Sequence, residues 1–362
     1  MMINDDLLTH YSKSSLHSIS PYVGKLRPEL ASQLVLEYSA KGGAVFDPFC
    51  GSGTVALEAW RHGRKSYAVD LNYYAYLLTK AKLFPYHSLE ECLNHFDEMA
   101  FECLSFSENF REVPEWVSVF FHPETLSEIL AWVKCAKSRN EWFILACLMG
   151  ILHHQRPGFL SYPSSHGAPY LRYKKYPKEE YPEMYEYRNV KDRLCDKIKR
   201  TYSKFPTLDF SVERNVYNAD TLDCCIESDT NMTIITSPPY MRSLTYARDN
   251  RLRLWFLGKE DWQTLDKETT YTKREFADFM EKCFSKWSLL QRAEDICVLV
   301  MGDIIFNKQT KESLPEMIHT IADKLGYDLI NVYQDPVSYD RKMQKKESSI
   351  SREIVSVYKR RH

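Results

Sequence analysis

The stretch that most limits what this chain can fold into is residues 43–70. An apolar run, GAVFD (43–47), enters a glycine-rich turn, a helix-like stretch, TVALEAWRHG (54–63), follows, and a second apolar run, KSYAVD (65–70), closes the unit. Strand, turn, helix and strand within about 30 residues is the βαβ signature. Further short strands are expected at 214–219, 232–237, 295–302, 327–333 and 353–358, with helices such as 272–293 between several of them. This alternation predicts an α/β fold with a doubly wound, mostly parallel sheet of the Rossmann-like kind.

The segment from 85 to 205 breaks the alternation. Its pattern is helical, with capping boxes expected at Ser88…Glu91 and Thr125…Glu128. The longest apolar run, WFILACLMGIL (142–152), is eleven residues, well short of the ~20 that a membrane helix needs, and reads as a buried helix. The chain therefore divides into an α/β domain made of 1–84 and 206–362 and a helical insertion, 85–205; the family resemblance given below implies that the first is the catalytic domain and the second the candidate target-recognition region. Residues 170–204 carry eleven Lys and Arg against six Asp and Glu, with seven tyrosines among them. A solvated helical face has such a composition. So does a surface that meets phosphates and bases, and Lys174 and Lys175 are its candidate contacts.

The totals narrow the classes. A net charge of −1 with 27% charged residues excludes a uniformly basic nucleic-acid coat and leaves room for a local basic face. The first residues, MMINDD, are acidic where a secretory signal is basic, so a cytoplasmic chain is expected. The 10 cysteines include no CxxC pair, and His153 and His154 have no acid or cysteine at ligand spacing, so no metal site is expected.

Two short motifs carry the chemistry. In VFDPFCGSGTVALEA (45–59), Gly51 and Gly53 permit a tight turn and a close approach of a ligand to the helix start. Read as G-x-G-x-x-A with Asp70 nineteen residues after Gly51, the stretch also fits a dinucleotide fingerprint. The Asp70 carboxylate, after the second strand, is a two-oxygen acceptor suited to a ribose diol. Helix capping is the competing use of Asp70 and Asp220.

The second motif, TSPPY (236–240), ends a short apolar strand on a hydroxyl, two prolines and an aromatic. Pro238 and Pro239 offer no N–H and hold the chain stiffly extended. An exocyclic base amine is a poor nucleophile because its lone pair is delocalised into the ring. Acceptors placed at the NH₂ group favour attack and help carry the developing positive charge. The Ser237 hydroxyl and the Pro238 carbonyl form such a pair. Tyr240 then offers a face on which a base taken out of its duplex can stack, or it packs like any tyrosine.

Together, DPFCGSGT and TSPPY resemble the S-adenosylmethionine-dependent DNA amino-methyltransferases, the N4-cytosine and N6-adenine family. The resemblance covers roughly 17–84 and 212–258 and implies a class I methyltransferase fold with S-adenosylmethionine as cofactor. It implies that Asp47, Phe49, Gly51, Gly53 and Thr54 meet the cofactor, with the acid and the glycine turn facing its methionine end. Pro21 and Tyr22 flank the same moiety, Asp70 takes the ribose, Asp220 the adenine, and Tyr240 the target base. Serine at 237 is the form associated with N4-cytosine. Arg242, Arg248, Arg251 and Arg253 follow the motif and are candidate phosphate contacts or partners of Asp249 and Glu260. The implied partners are double-stranded DNA and a cognate restriction endonuclease, with no membrane. An RNA base amine as target, an NAD-dependent oxidoreductase and a catalytically idle DNA-binding module remain as alternatives. The chain has no Pro-Cys dipeptide, which sets aside cytosine methylation through a cysteine nucleophile.

Overall fold

The computed structural model describes residues 11–103, 113–165, 167–239, 246–269, 271–302, 305–307, 312–336 and 352–362. The strands are β1 (Ala44–Asp47), β2 (Lys65–Val69), β3 (Arg214–Tyr217), β4 (Met232–Thr236), β5 (Ile296–Gly302), β6 (Ile305–Asn307), β7 (Glu312–Ser313), β8 (Tyr327–Pro336) and β9 (Arg352–Arg360). Strands β6 and β7 form a small ribbon, and the other seven make one sheet in the order β3-β2-β1-β4-β5-β9-β8. Neighbours from β3 through β5 pair in parallel. Strand β9 runs antiparallel to both β5 and β8. The doubly wound, mostly parallel sheet is as expected. The antiparallel pair at its edge is not readable from an apolar run, because such a run does not encode direction.

The helices are α1 (Pro28–Tyr38), α2 (Thr54–Arg61), α3 (Tyr73–Leu83), α4 (Leu89–Cys103), α5 (Glu115–Ser118), α6 (Pro123–Ser138), α7 (Trp142–Gly150), α8 (Val190–Tyr202), α9 (Tyr246–Asp249), α10 (Arg251–Phe256), α11 (Trp262–Glu268), α12 (Lys273–Leu290) and α13 (Leu314–Lys324). Alternate strand residues feed opposite layers. Ala44, Phe46, Ile234 and Leu299 pack with Phe284 and Trp287 of α12 and Ile318 of α13. Val45, Ile235 and Val298 pack with Leu34 of α1 and Val55 of α2. Burial on both faces explains why the central strands read as unbroken apolar runs.

The segment 85–205 is mainly helical. Its helices share one apolar cluster with α2 and α3: Phe96 and Trp132 stack at 4.9 Å, and both join Trp60, Leu77 and Trp255 in that cluster. Helix α7 is buried from Phe143 to Gly150, as its sequence predicts. Ser88 caps α4 through the Glu91 N–H (3.0 Å), while the Glu91 carboxylate accepts from the His87 N–H (2.7 Å) instead of closing a box on Ser88. The expected box at Thr125 is absent, since Thr125 lies inside α6 and His122 is the cap. Its hydroxyl is spent on a tertiary contact, donating to the Arg188 carbonyl and accepting from the Arg188 N–H.

Candidate active site

Strands β1 and β4 are parallel neighbours, so the residues that follow them emerge side by side at the same end of the sheet. That end carries an open cleft with about 1020 Å³ of atom-free space, part of it continuous with solvent. Its walls include Asp47, Gly51 and Asp70 from the first motif region and Ser237 and Pro239 from the second. Ligands of open α/β sheets bind at the carboxyl ends of strands where the order reverses. Here that point lies between β1 and β4.

The glycine turn is built around carboxylates. Gly51 (φ +50°) and Gly53 (φ +70°) are both left-handed, a conformation that glycine adopts without penalty. They face different neighbours. A Cβ on Gly51 would come within 3.3 Å of the neighbouring Tyr22 ring, whereas one on Gly53 would strike Thr79 of α3 at 2.6 Å. Gly53 thus serves the packing of the turn on α3. Asp70 accepts from the Gly51 N–H at 2.8 Å and from the Asn72 N–H at 2.8 Å. Asn72, not Asp70, caps α3. Beneath the turn the buried Lys82 ammonium donates to the Ser52 carbonyl.

Asp47 sits at the join between the motifs. One of its oxygens accepts from the Thr236 hydroxyl at 2.6 Å and from the Phe49 N–H at 3.3 Å. Burial pushes its carboxyl up to about 7, partly offset by those two hydrogen bonds and assisted by the nearby Asp70 charge. Burial likewise pushes Asp70 up to about 6, against the two N–H groups that favour its charged form. Two acids ionising near neutrality thus border one cleft.

The far side of the cleft is aromatic. Phe49 lies 5.7 Å from Phe279, which stacks on Tyr271 at 4.8 Å. Asp220 and Tyr271 line the cavity together, and Asp220 accepts from the Leu222 N–H at 2.8 Å. Thr54 also lines the cavity, at the first position of α2. Sequence reading missed Tyr271, Phe279 and Thr236. The two aromatics carry no motif, while Thr236 was visible as the residue before the serine.

The second motif is brought to the cleft through Ser237 and Pro239, with Pro238 buried between them. Tyr240 and Arg242 lie outside the described residues. Tyr246, on α9, lines the cavity and stacks with Tyr22 at 6.4 Å.

The basic candidates separate. Lys174 and Lys175 are exposed, and so is Arg248. Arg251 is half-buried and donates to the carbonyls of Arg248 and Pro169, which pins the loop before Lys174 beside α10. Arg253 is 1% exposed. It donates to the Met149 carbonyl and the Asn250 side chain and lies over the Tyr74 ring. As a phosphate contact Arg253 is therefore ruled out: its guanidinium is part of the core. The run 170–204 is likewise not one surface. Arg188, with its carbon chain and head buried, donates to the carbonyls of Phe159, Ser161 and Met184. Arg193 donates to the Pro157 carbonyl and Lys197 to the Ser18 carbonyl.

His153 and His154 are buried; His153 Nδ1 lies 3.1 Å from the Ser165 carbonyl, and the His154 ring packs on Phe159. Among the described residues, no group of three or more His, Cys, Asp or Glu is placed to hold a metal, and no helix is long and apolar enough to cross a membrane.

The family comparison falls on the first half of this site. Residues 6–81 match a family model described as DNA methylase, the N6/N4 type. Over 82 residues the chain is 32% identical to the type II methyltransferase M.MjaII of Methanocaldococcus jannaschii, a match that spans 22% of this chain and 16% of that protein. Among solved structures, the TehB-like SAM-dependent methyltransferase of Corynebacterium glutamicum aligns over 94% of this chain and 90% of its own, at 9% identity and a TM-score of 0.35. The rRNA methyltransferase aviRa of Streptomyces viridochromogenes aligns over 99% and 94%, at 12% identity and a TM-score of 0.35. The segment that forms β1, the glycine turn, β2 and most of α3 is thus similar in sequence to DNA methylases.

Proposed function

We propose that the protein is an S-adenosylmethionine-dependent DNA methyltransferase acting on an exocyclic base amine, N4 of cytosine in preference to N6 of adenine. The observation that carries this reading is the single cleft lined by both Gly51 and Ser237, residues that lie far apart in the chain. The donor set suits the cofactor. Three carboxylates, Asp47, Asp70 and Asp220, border the cleft and complement a sulfonium, an ammonium and a ribose diol. Phe49, Phe279 and Tyr271 border a slot for a purine ring. A dinucleotide is the poorer fit, because its diphosphate would meet these carboxylates with like charge.

When bound, the cofactor supplies an electrophilic methyl group on a positively charged sulfur. The residues of the second motif serve the nucleophile. Ser237 Oγ and the Pro238 carbonyl accept hydrogen bonds from the base NH₂, which favours the tetrahedral nitrogen that attack requires. Held by these two acceptors, the amine nitrogen would be the nucleophile toward the methyl group, and the proton it sheds would pass along the hydrogen bond at Ser237 to water in the solvent-connected cleft. Tyr240 stacks on the base once it has left the duplex. Lys174, Lys175, Arg242 and Arg248 meet the DNA backbone, and 85–205 contributes the target-reading surface; Arg251 tethers that segment to α10. Double-stranded DNA is the substrate, and a cognate endonuclease fits the same reading.

Methyl uptake tests the proposal. With methyl-labelled S-adenosylmethionine, duplex DNA should take up label and total RNA should not. Uptake by RNA alone transfers the reading to an RNA amine, and uptake by neither, with tight NAD binding, ends it.

A further inference from the structure

Among the described residues, one side-chain bond joins the strand ends that lead into the two motif loops. Pairing between β1 and β4 ends at Phe46↔Ile234, while β4 continues against β5 as far as Thr236↔Leu299. Beyond Phe46 the link between the two strands is the Thr236 hydroxyl, which donates to the Asp47 carboxylate at 2.6 Å. Both groups are buried, Thr236 at 0% and Asp47 at 3% exposure. The next residue is Ser237, followed by two prolines that have no N–H with which to anchor the loop. Hydrogen bonds to a carboxylate are shorter and about twice as strong as neutral ones. The spacing between the serine clamp and the glycine turn therefore hangs on a buried hydroxyl–carboxyl bond one residue before the clamp, strongest with Asp47 ionised.

We propose that Thr236 is a positioning residue, whose hydroxyl, by donating to Asp47, sets the distance between Ser237 and the cofactor half of the cleft. The inference rests on the methyl-transfer reading above and adds a residue to it. Misplacement by about 1 Å can cost on the order of 10²-fold in rate, so this bond is exercised in the chemical step and not in cofactor capture. The competing role, plain filling of a buried strand position by a β-branched side chain, makes the opposite demand: it needs the methyl group and not the hydroxyl.

Two substitutions separate these roles. Thr236→Val keeps the shape and removes the donor, and Thr236→Ser keeps the donor and removes the methyl. Single-turnover methylation of duplex DNA, cofactor affinity by calorimetry and thermal unfolding are measured for both. Measured at a pH well above the midpoint of cofactor affinity, where Asp47 is ionised in parent and variants alike, positioning predicts that Thr236→Val loses roughly 10- to 100-fold in the chemical step, with cofactor affinity within about threefold of the parent, while Thr236→Ser stays within about threefold in rate even where it melts earlier. Parental rates in Thr236→Val, or equal losses in the two variants, overturn the proposal, as does a loss that resides in cofactor affinity.

If the parent binds S-adenosylmethionine and methylates nothing, the functional reading has failed, and the bond is read from the pH dependence of binding. Asp47 is faced by Asp70 at the end of β2 and by Cys50 on the turn, with Lys25 and Asp220 on the same cavity; neither substitution touches them. Losing the donor disfavours the ionised carboxylate, so the midpoint of cofactor affinity against pH should rise in Thr236→Val and stay in place in Thr236→Ser. An unmoved midpoint in Thr236→Val contradicts the proposal.

Discussion

The glycine turn after β1 and the basic run at 170–204 were both prominent in the sequence, and they fare differently in the structure. The turn stays together at one place: Gly51 lies on the cleft, Asp70 holds its N–H and Asp47 sits beneath, while Gly53 packs on Thr79. The run splits. Lys174 and Lys175 face solvent, whereas Arg188, Arg193 and Lys197 hold main-chain carbonyls. The difference is physical. A turn of left-handed glycines is specified by adjacent residues, so its sequence and geometry cannot drift apart. A cation is free to point toward water or toward an orphan carbonyl, and only the tertiary fold decides which.

Substitutions can break or sharpen that contrast. The largest expected effect belongs to the clamp. Ser237→Ala should slow single-turnover methylation on the order of 10²-fold with DNA affinity unchanged, and equal rates for mutant and parent would remove Ser237 from the chemistry. Next comes Arg188→Ala. Three carbonyls lose their donor, at a cost of roughly 3 kcal/mol in urea unfolding, while the salt dependence of DNA binding stays put. A changed salt slope in a stable Arg188→Ala variant would return this arginine to the DNA surface.

The turn itself is probed by Asp70→Ala, which removes both the acceptor of the Gly51 N–H and a charge at the cleft. Cofactor affinity should fall roughly 10- to 100-fold, and parental affinity would contradict the cation-receptor reading. The same reading fixes a pH dependence. Asp47 and Asp70 ionise above about 7 and about 6, so protonating them removes attraction for a cation, and affinity for S-adenosylmethionine should weaken as pH falls from 8 to 5. Its neutral-sulfur product should lose less, and identical profiles for the two would show that the sulfonium charge is not sensed. The smallest effect is that of Lys174→Ala with Lys175→Ala. It should weaken DNA binding on all sequences alike and flatten the slope of log affinity against log salt by about 1.8.

How far the sequence spoke follows the same line. The sheet strands were legible because burial on both faces writes continuous apolar runs, as in MTIIT of β4. The direction of β9 was not, and neither was the Thr125 bond to Arg188, 63 residues away. In the candidate site, Asp47, Asp70 and Ser237 stand in motifs. The Asp47–Thr236 bond spans 189 residues, and Tyr271 and Phe279 reach the cleft from beyond both motifs. Such partners are set by which strands lie side by side, and no local pattern records that.

The product formed in the shared cleft is the most direct test of methyl transfer to a base amine. The protein is incubated with duplex DNA and S-adenosylmethionine bearing a heavy methyl group, the DNA is digested to nucleosides, and the labelled base is identified by mass. Label is expected on an exocyclic amine, as N4-methylcytosine; label on a ring carbon, or none on any DNA base while the protein binds the cofactor, would rule out transfer to a base amine.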